Sequence, residues 1–514
     1  KCWERWHSNE RKRGCSLVMS GGVLSTLMAL LCWISQISGS VSLTRLRRPR
    51  WEAKGPVDAF STHTSAFAPS SVIPRRQPRP RAVSTGQQEG GSDVQTMLSW
   101  LREWGAEWHH DVCVMDFDGL RGVGARRPIE GRQTLIKIPL SCCIRVTEGR
   151  PSPIPKRIIH PNVWSSLPSI FLQLALVLLY ERRKGSRAPH VPYTHLLPQS
   201  YHMRAERWPP AVTDALNYPH LVAASHQTNE LIDWFLGAHG VMGELFSSRE
   251  ELEWAVDSAV TRAVQITCDD GDSLCLLPLM DILNHSTTHG HGVAIEYSRR
   301  EEAYVATSLP GSRWEAGEQI WWNYGQKGND ELLSQFGFVE ADNRLDTHVI
   351  DLSTVTRFAP TTPSVSGQQP ASDSEWRTLR WRGGDSNAAT IPDALVQTIR
   401  RHRSFGGGGG DAGVWGAISE ILREELAGVS RRLDALSSIR QRYGDQRTAD
   451  AVWVASQYLI EKTKLLQAGL RHAEEMVRGR PLLPLPDRPL RASVAAVDSP
   501  DHFDKTRSII RVFG

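Results

Sequence analysis

The stretch "LPLMDILNHSTTHGHG", Leu277–Gly292, sets an acid, an amide and three histidines directly behind an apolar run. A run of that kind belongs in a core, so Asp281, Asn284 and His285 are expected as a polar site at its edge. His285, His289 and His291 are spaced H-x3-H-x-H, and a helix would set the first two on one face for a metal. The segment "STTHGHG" opposes that helix with two glycines and two β-branched residues. No further Cys, Asp or His cluster follows closely, so no metal is expected.

The 514 residues suffice for two or three domains with cores of their own. Hydrophobic residues make up 40% and charged residues 23%, ordinary values for a globular protein. A formal net charge of +4 makes no case for nucleic acid or a membrane surface as partner. The eight cysteines form no C-x-x-C pair, which predicts a reduced folded region without structural zinc.

Residues 1–92 read as a leader. The first residue is Lys1 rather than Met, which predicts a fragment or a misplaced start. No charge occurs from Gly14 to Thr44, behind the basic Arg11–Arg13, the arrangement of a secretory signal peptide. A membrane anchor is the rival reading, because the stretch is long enough to span. The next segment is rich in Arg, Ser and Pro and is similar to an organelle transit peptide. With "SAFAPS" at Ser65–Ser70 the whole resembles a bipartite plastid leader, although the Ala-Phe pair falls well downstream of the signal. A disordered linker is the other reading. A plastid location is expected, with membrane-anchored or cytoplasmic as alternatives.

Order is predicted from about Asp93, where "DVQTMLSWLREWGAEW" has helical spacing. Short strands with Gly turns follow, then a long apolar helix, "SIFLQLALVLLYERRKG". Helices continue to about Ala263 and strands return from Leu274 to Tyr324. Low-complexity residues Thr361–Glu375 and the hinge "FGGGGGD" at Phe405 interrupt a helical C-terminal region.

A second polar segment, Gly317–Asp346, decides the reading. Its order of residues is Gly317-Glu318 and Ile320, then Tyr324-Gly325, then Asn329, Glu331, Leu332 and Leu333. Phe336-Gly337-Phe338, Asn343 and Asp346 complete it. Behind Asp281, Asn284, His285 and Ser286, this succession resembles the SET-domain methyltransferases, of the plant Rubisco large-subunit lysine methyltransferase type. The resemblance covers roughly residues 93 to 480 and implies an α+β fold. That fold is a SET-domain β-structure with a knotted active site and a helical insertion, followed by an all-α C-terminal domain. The SET domain is expected at 93–345 with its insertion at about 150–265. The helical substrate-binding domain is expected at 346–485, and 486–514 as a tail.

The resemblance further implies S-adenosylmethionine as cofactor and a lysine of a non-histone protein as substrate, with Rubisco large subunit or an aldolase as examples. A monomer is expected, with no membrane contact by the mature domain. Tyr324 would be the catalytic-site tyrosine. Gly122, Asn284, His285, Tyr324 and Phe338 would bind cofactor. Arg262, Asp281, Tyr297 and Phe336 would border substrate or cofactor. Such chemistry needs an amine made neutral in a desolvating channel and held in line with a sulfonium methyl.

Two departures stand out. The family's N-terminal cofactor loop reads Gly-x-Gly, whereas "DGLRGVGA" places Gly119, Gly122 and Gly124 so that two registers are open. The family's Tyr-Gly-Phe is here Phe336-Gly337-Phe338, which removes a hydroxyl beside the amine. Histidine methylation and a catalytically silent binding module are the alternative readings.

Overall fold

A computed structural model describes residues 91–268, 271–287, 289, 292–359, 374–382, 385–404 and 410–479. The expectations for the leader, His291, the low-complexity loop, the glycine hinge and the tail fall outside the described residues, wholly or for the most part.

Helix α1 (Ser92–Glu103) buries Val94, Met97, Leu98 and Leu101, the face its apolar spacing dictates. Strands β1 (Glu107–Trp108), β2 (Val112–Phe117), β3 (Leu120–Ala125), β4 (Ile129–Glu130), β5 (Thr134–Pro139) and β6 (Ile144–Thr147) follow. The β2–β3 hairpin turns on Asp118 and Gly119, whose φ angles are 58° and 87°. Asp-Gly is the pair that tolerates such a two-residue loop. The Gly119 amide also donates to the Asp116 carboxylate at 2.7 Å.

Six helices come next: α2 (Pro161–Ser166), α3 (Ile170–Arg183), α4 (Val191–Thr194), α5 (Pro210–Leu216), α6 (Pro219–His239) and α7 (Arg249–Arg262). Helix α3 is the predicted apolar helix and buries Leu172 and every residue from Leu174 to Leu179. Ser169 caps it by accepting from the Phe171 amide. Among the described residues no helix is long and apolar enough to cross a membrane. Helix α7 starts at a Ser248 cap and ends on Arg262, which delivers that guanidinium to the site below.

Strands β7 (Val264–Cys268), β8 (Gly271–Leu276), β9 (Asn284–His285), β10 (Val293–Ser298), β11 (Ala303–Ser308), β12 (Arg313–Trp314) and β13 (Trp321–Trp322) lead to helix α8 (Asn329–Phe336). The main sheet has the order β1-β5-β11-β10-β13-β9. Its last two pairings are parallel: β13 meets β10 at Val293 and lies along β9 with Trp321 opposite Asn284 and Trp322 opposite His285. Two segments far apart in sequence are thus laid side by side. Strands β6, β8 and β7 form a separate three-stranded sheet.

The C-terminal region contains β14 (Thr347–Val349), α9 (Leu352–Phe358), β15 (Thr378–Arg382), β16 (Asp385–Thr390), α10 (Asp393–Ser404), α11 (Asp411–Arg442) and α12 (Gln446–Val477). The α+β class and the helical C-terminal region are as expected. An addition is the small sheet β14-β15-β16, whose strands are too short and too polar to show alternation in the sequence.

One apolar core runs from Val94 to Ile320 and a second from Met203 to Ala473. The buried cation Lys462 of α12 reaches Asp330 of α8 at 2.6 Å, Asp346 at 2.7 Å and the Thr347 carbonyl at 2.6 Å. Tyr458, one turn earlier on α12, donates to Asp330 at 2.6 Å. A charged seam therefore joins the long C-terminal helix to the segment that follows the candidate site.

Candidate functional site

The short 3₁₀ turn Met280–Ile282 carries the first polar motif out of the core. Leu279, just before it, is buried yet holds φ at 69°. A non-glycine residue in that region costs of order 1–3 kcal/mol and persists only where its surroundings enforce it. Here the enforcing groups are the core on one side and the parallel pairing of β9 on the other.

Asn284 is buried, and its side-chain amide donates to the Arg121 carbonyl at 3.1 Å. His285 is buried and its Nδ1 accepts from the Tyr324 amide at 2.9 Å. The proton of the neutral ring is therefore on Nε2, which has no hydrogen-bond partner among the described residues and lies 3.7 Å from Glu340 Oε2. Burial pushes the His285 pKa down to about 4, so the imidazole is neutral across the physiological range. The Tyr324 hydroxyl donates to the Leu283 carbonyl at 2.6 Å. Burial pushes that phenol above the ordinary tyrosine range, so it is a fixed donor and not a base at neutral pH.

Tyr324 is the centre of an aromatic cluster. Its ring centroid lies 5.0 Å from that of His285 and 5.1 Å from those of Trp322 and Phe336. Phe338 joins through Phe336 at 6.0 Å and His285 at 5.8 Å. Leu120, Leu332 and Trp321 belong to the same small apolar group. Phe336 and Phe338 reach it because Gly337, at φ 82°, ends α8 in the left-handed conformation.

Next to the cluster is a pocket lined by Arg121, Tyr193, Leu197, Arg262, Asp281 and Asn284, among others. Arg262 donates from one nitrogen to the Asp281 carbonyl and to Asp281 Oδ2, both at 3.2 Å. Tyr193 donates to the same Oδ2 at 2.9 Å. Asp281 Oδ1 is buried without a hydrogen-bond partner among the described residues. Burial raises the Asp281 pKa against the pull of Arg262. Arg121 sits below the usual guanidinium range, first through burial and then through the nearby Arg262 charge. Two cations and a carboxylate with a spare oxygen thus face one small cavity.

Gly122 lies on β3, not in the Asp118-Gly119 turn. A Cβ there would stand 2.5 Å from Gln319 Nε2, 2.8 Å from Asn284 Nδ2 and 3.0 Å from Phe117 Cδ2. Its place in the site is to let Asn284 close on the strand. Gly122→Ala is expected to destabilise the fold by about 1–3 kcal/mol, because Asn284 is held by the Arg121 carbonyl and yields poorly. Urea unfolding measures this, and an unchanged midpoint would show that both amides move aside freely.

The structure therefore brings together Gly122, Asn284, His285, Tyr324, Phe336 and Phe338 on one side and Arg262 and Asp281 on the other, with Asn284 shared. Tyr297 is not among the rings around Tyr324. It lies on β10 with its ring 5.5 Å from that of Tyr304, packed on the first core. His289 stacks on Trp321 at 4.7 Å and bonds to Ser286. Sequence reasoning passed over Arg121, Tyr193 and Glu340. Arg121 carried a signal, as the cation inside the glycine segment "GLRGVG".

No family model matches the sequence. Similar curated proteins include mouse SET domain-containing protein 4, 26% identical over 307 residues, which are 56% of this chain and 66% of that protein. Protein SET DOMAIN GROUP 40 of Arabidopsis thaliana is 28% identical over 309 residues, 51% of this chain and 61% of that one. Actin-histidine N-methyltransferase of Danio rerio is 26% identical over 279 residues, 50% and 44% respectively. The chain spans between 44% and 66% of the length of these three relatives. A solved structure of the SET domain of LSMT bound to lysine and AdoHcy is 18% identical, with a TM-score of 0.49, over 75% of this chain and 92% of that one. Over about half of its length, then, the chain is similar in sequence to SET-domain proteins, the family that its two polar motifs resemble.

Proposed function

We propose that the chain is a SET-domain protein methyltransferase that transfers a methyl group from S-adenosylmethionine to a lysine side chain of a protein substrate. The observation that carries this reading is the crossing of the two motifs. The parallel pairing of β9 with β13 brings His285 against Tyr324, beside a pocket lined by Asn284, two guanidinium groups and Asp281, whose Oδ1 has no hydrogen-bond partner among the described residues.

That pocket fits the amino-acid end of the cofactor. Arg121 or Arg262 would take its carboxylate, which would also relieve the repulsion between the two cations. The spare Asp281 oxygen would accept from its ammonium group. Asn284 and the Phe338 ring would border the remainder. When bound, the cofactor supplies a sulfonium-activated methyl, whose S–C bond breaks as the new N–C bond forms.

The residues of this chain do the positioning. The Tyr324 hydroxyl is held by the Leu283 carbonyl, so its lone pairs are set in one direction. Tyr324, Phe336 and Phe338 form an apolar wall against which an ammonium is poorly solvated and loses its proton more readily. Alignment in such a wall replaces a costly encounter in water.

Histidine as acceptor is the second reading. It is favoured by the relatives described as actin-histidine N-methyltransferases. Incubation with labelled S-adenosylmethionine and plastid or cytosolic protein extracts tests both. Label in a discrete protein band, mapped to lysine, supports the first reading. Label on histidine supports the second. Cofactor binding without any label would favour a silent binding module, and no cofactor binding would overturn the assignment.

A further inference from the structure

We propose that Glu340 is a positioning residue for the cofactor motif, a carboxylate that straps the Asn284–Thr287 segment to the end of the second motif. The proposal rests on the methyltransferase reading above and goes beyond it. Glu340 is 2% exposed, two residues after Phe338, and both of its oxygens serve one short segment. Oε1 accepts from the Thr287 amide at 2.7 Å and from the Ser286 hydroxyl at 3.1 Å. Oε2 accepts from the Thr287 hydroxyl at 2.5 Å and lies 3.7 Å from His285 Nε2.

The acid is itself held from behind. The Glu340 amide donates to Asn329 Oδ1 at 3.0 Å, and Asn329 Nδ2 returns a bond to the Glu340 carbonyl at 3.1 Å. The Asn329 amide donates to Asp346, the partner of Lys462. A backbone pinned on both sides aims the carboxylate, and the carboxylate fixes the turn that follows Asn284 and His285.

An acid is required here and its amide will not serve. Three donors converge on the two oxygens, and the protonated Nε2 of His285 faces the same group. Glutamine would turn an NH2 group toward donors on one side or the other. The segment would loosen, and Asn284 and His285 would be held in their bound arrangement for less of the time.

The test is calorimetric titration of the full chain with S-adenosylmethionine, well below the melting temperature of each variant. Glu340→Gln is expected to raise the Kd about tenfold, the size of one lost charge-assisted hydrogen bond at the low end of its range. Thr287→Val, which removes one donor and keeps the acid, is expected to raise it about threefold. Glu425→Gln serves as the control, because Glu425 is a buried acid bonded to His348 and the Asp351 amide rather than to the Asn284–Thr287 segment. It should lower the melting temperature and leave the Kd unchanged. Kd values for Glu340→Gln and Thr287→Val equal to that of the unaltered chain would overturn the proposal alone. Failure of the unaltered chain to bind S-adenosylmethionine would overturn it together with the reading on which it rests.

Discussion

Lys462→Met is expected to cost about 3–5 kcal/mol of folding stability, the loss seen when one partner of a buried ion cluster is removed. Lys462 is fully buried and makes its three contacts within 2.7 Å. Methionine has nearly the same shape but leaves Asp346, 3% exposed at its side chain, without its cation. The Asp330 carboxylate keeps the Tyr458 hydroxyl as a partner. Burial already raises the Asp346 pKa, so the variant should protonate that acid on folding and regain part of the loss at low pH. Denaturant unfolding at neutral and mildly acid pH measures both effects. A loss below about 1 kcal/mol would place these carboxylates in contact with water and remove the seam from the account.

Tyr324→Phe is expected to lower methyl transfer about 10²-fold or more, in the range for losing one preorganised polar group at a reacting centre. The ring itself would stay, because its neighbours His285, Trp322 and Phe336 fix the aromatic position. What is lost is the hydroxyl that bonds Leu283 and orients toward the acceptor. Single-turnover transfer to the identified substrate, with cofactor Kd measured in parallel, separates the two contributions. A rate near that of the unaltered chain would demote Tyr324 to a core tyrosine whose hydroxyl only satisfies a carbonyl.

The two motifs were readable because their residues are dense and ordered along the chain. Asn284, His285, Tyr324 and Phe338 each lie beside other members of the pattern, and the structure gathers them around one aromatic group. Arg121, Tyr193 and Glu340 are different. The importance of each comes from partners of its side chain 75, 88 or 54 residues away, which no local spacing encodes. The doubtful glycine register has a similar cause. Gly119 serves a turn and Gly122 a close approach, and the two demands look alike in sequence. The β14-β15-β16 sheet was overlooked for want of length, since strands of three to six residues give too few alternations to stand out.

The charged seam also bears on inheritance. A C-terminal helix pair from a relative could bring a well-packed apolar face and still fail as a replacement. It would need a cation at the place of Lys462 and a hydroxyl at that of Tyr458, each matched to acids written some 116 to 132 residues earlier in the chain. The two parts are therefore expected to vary together during descent, with exchange of the helices tolerated only when the acids of α8 and its following loop are exchanged alongside.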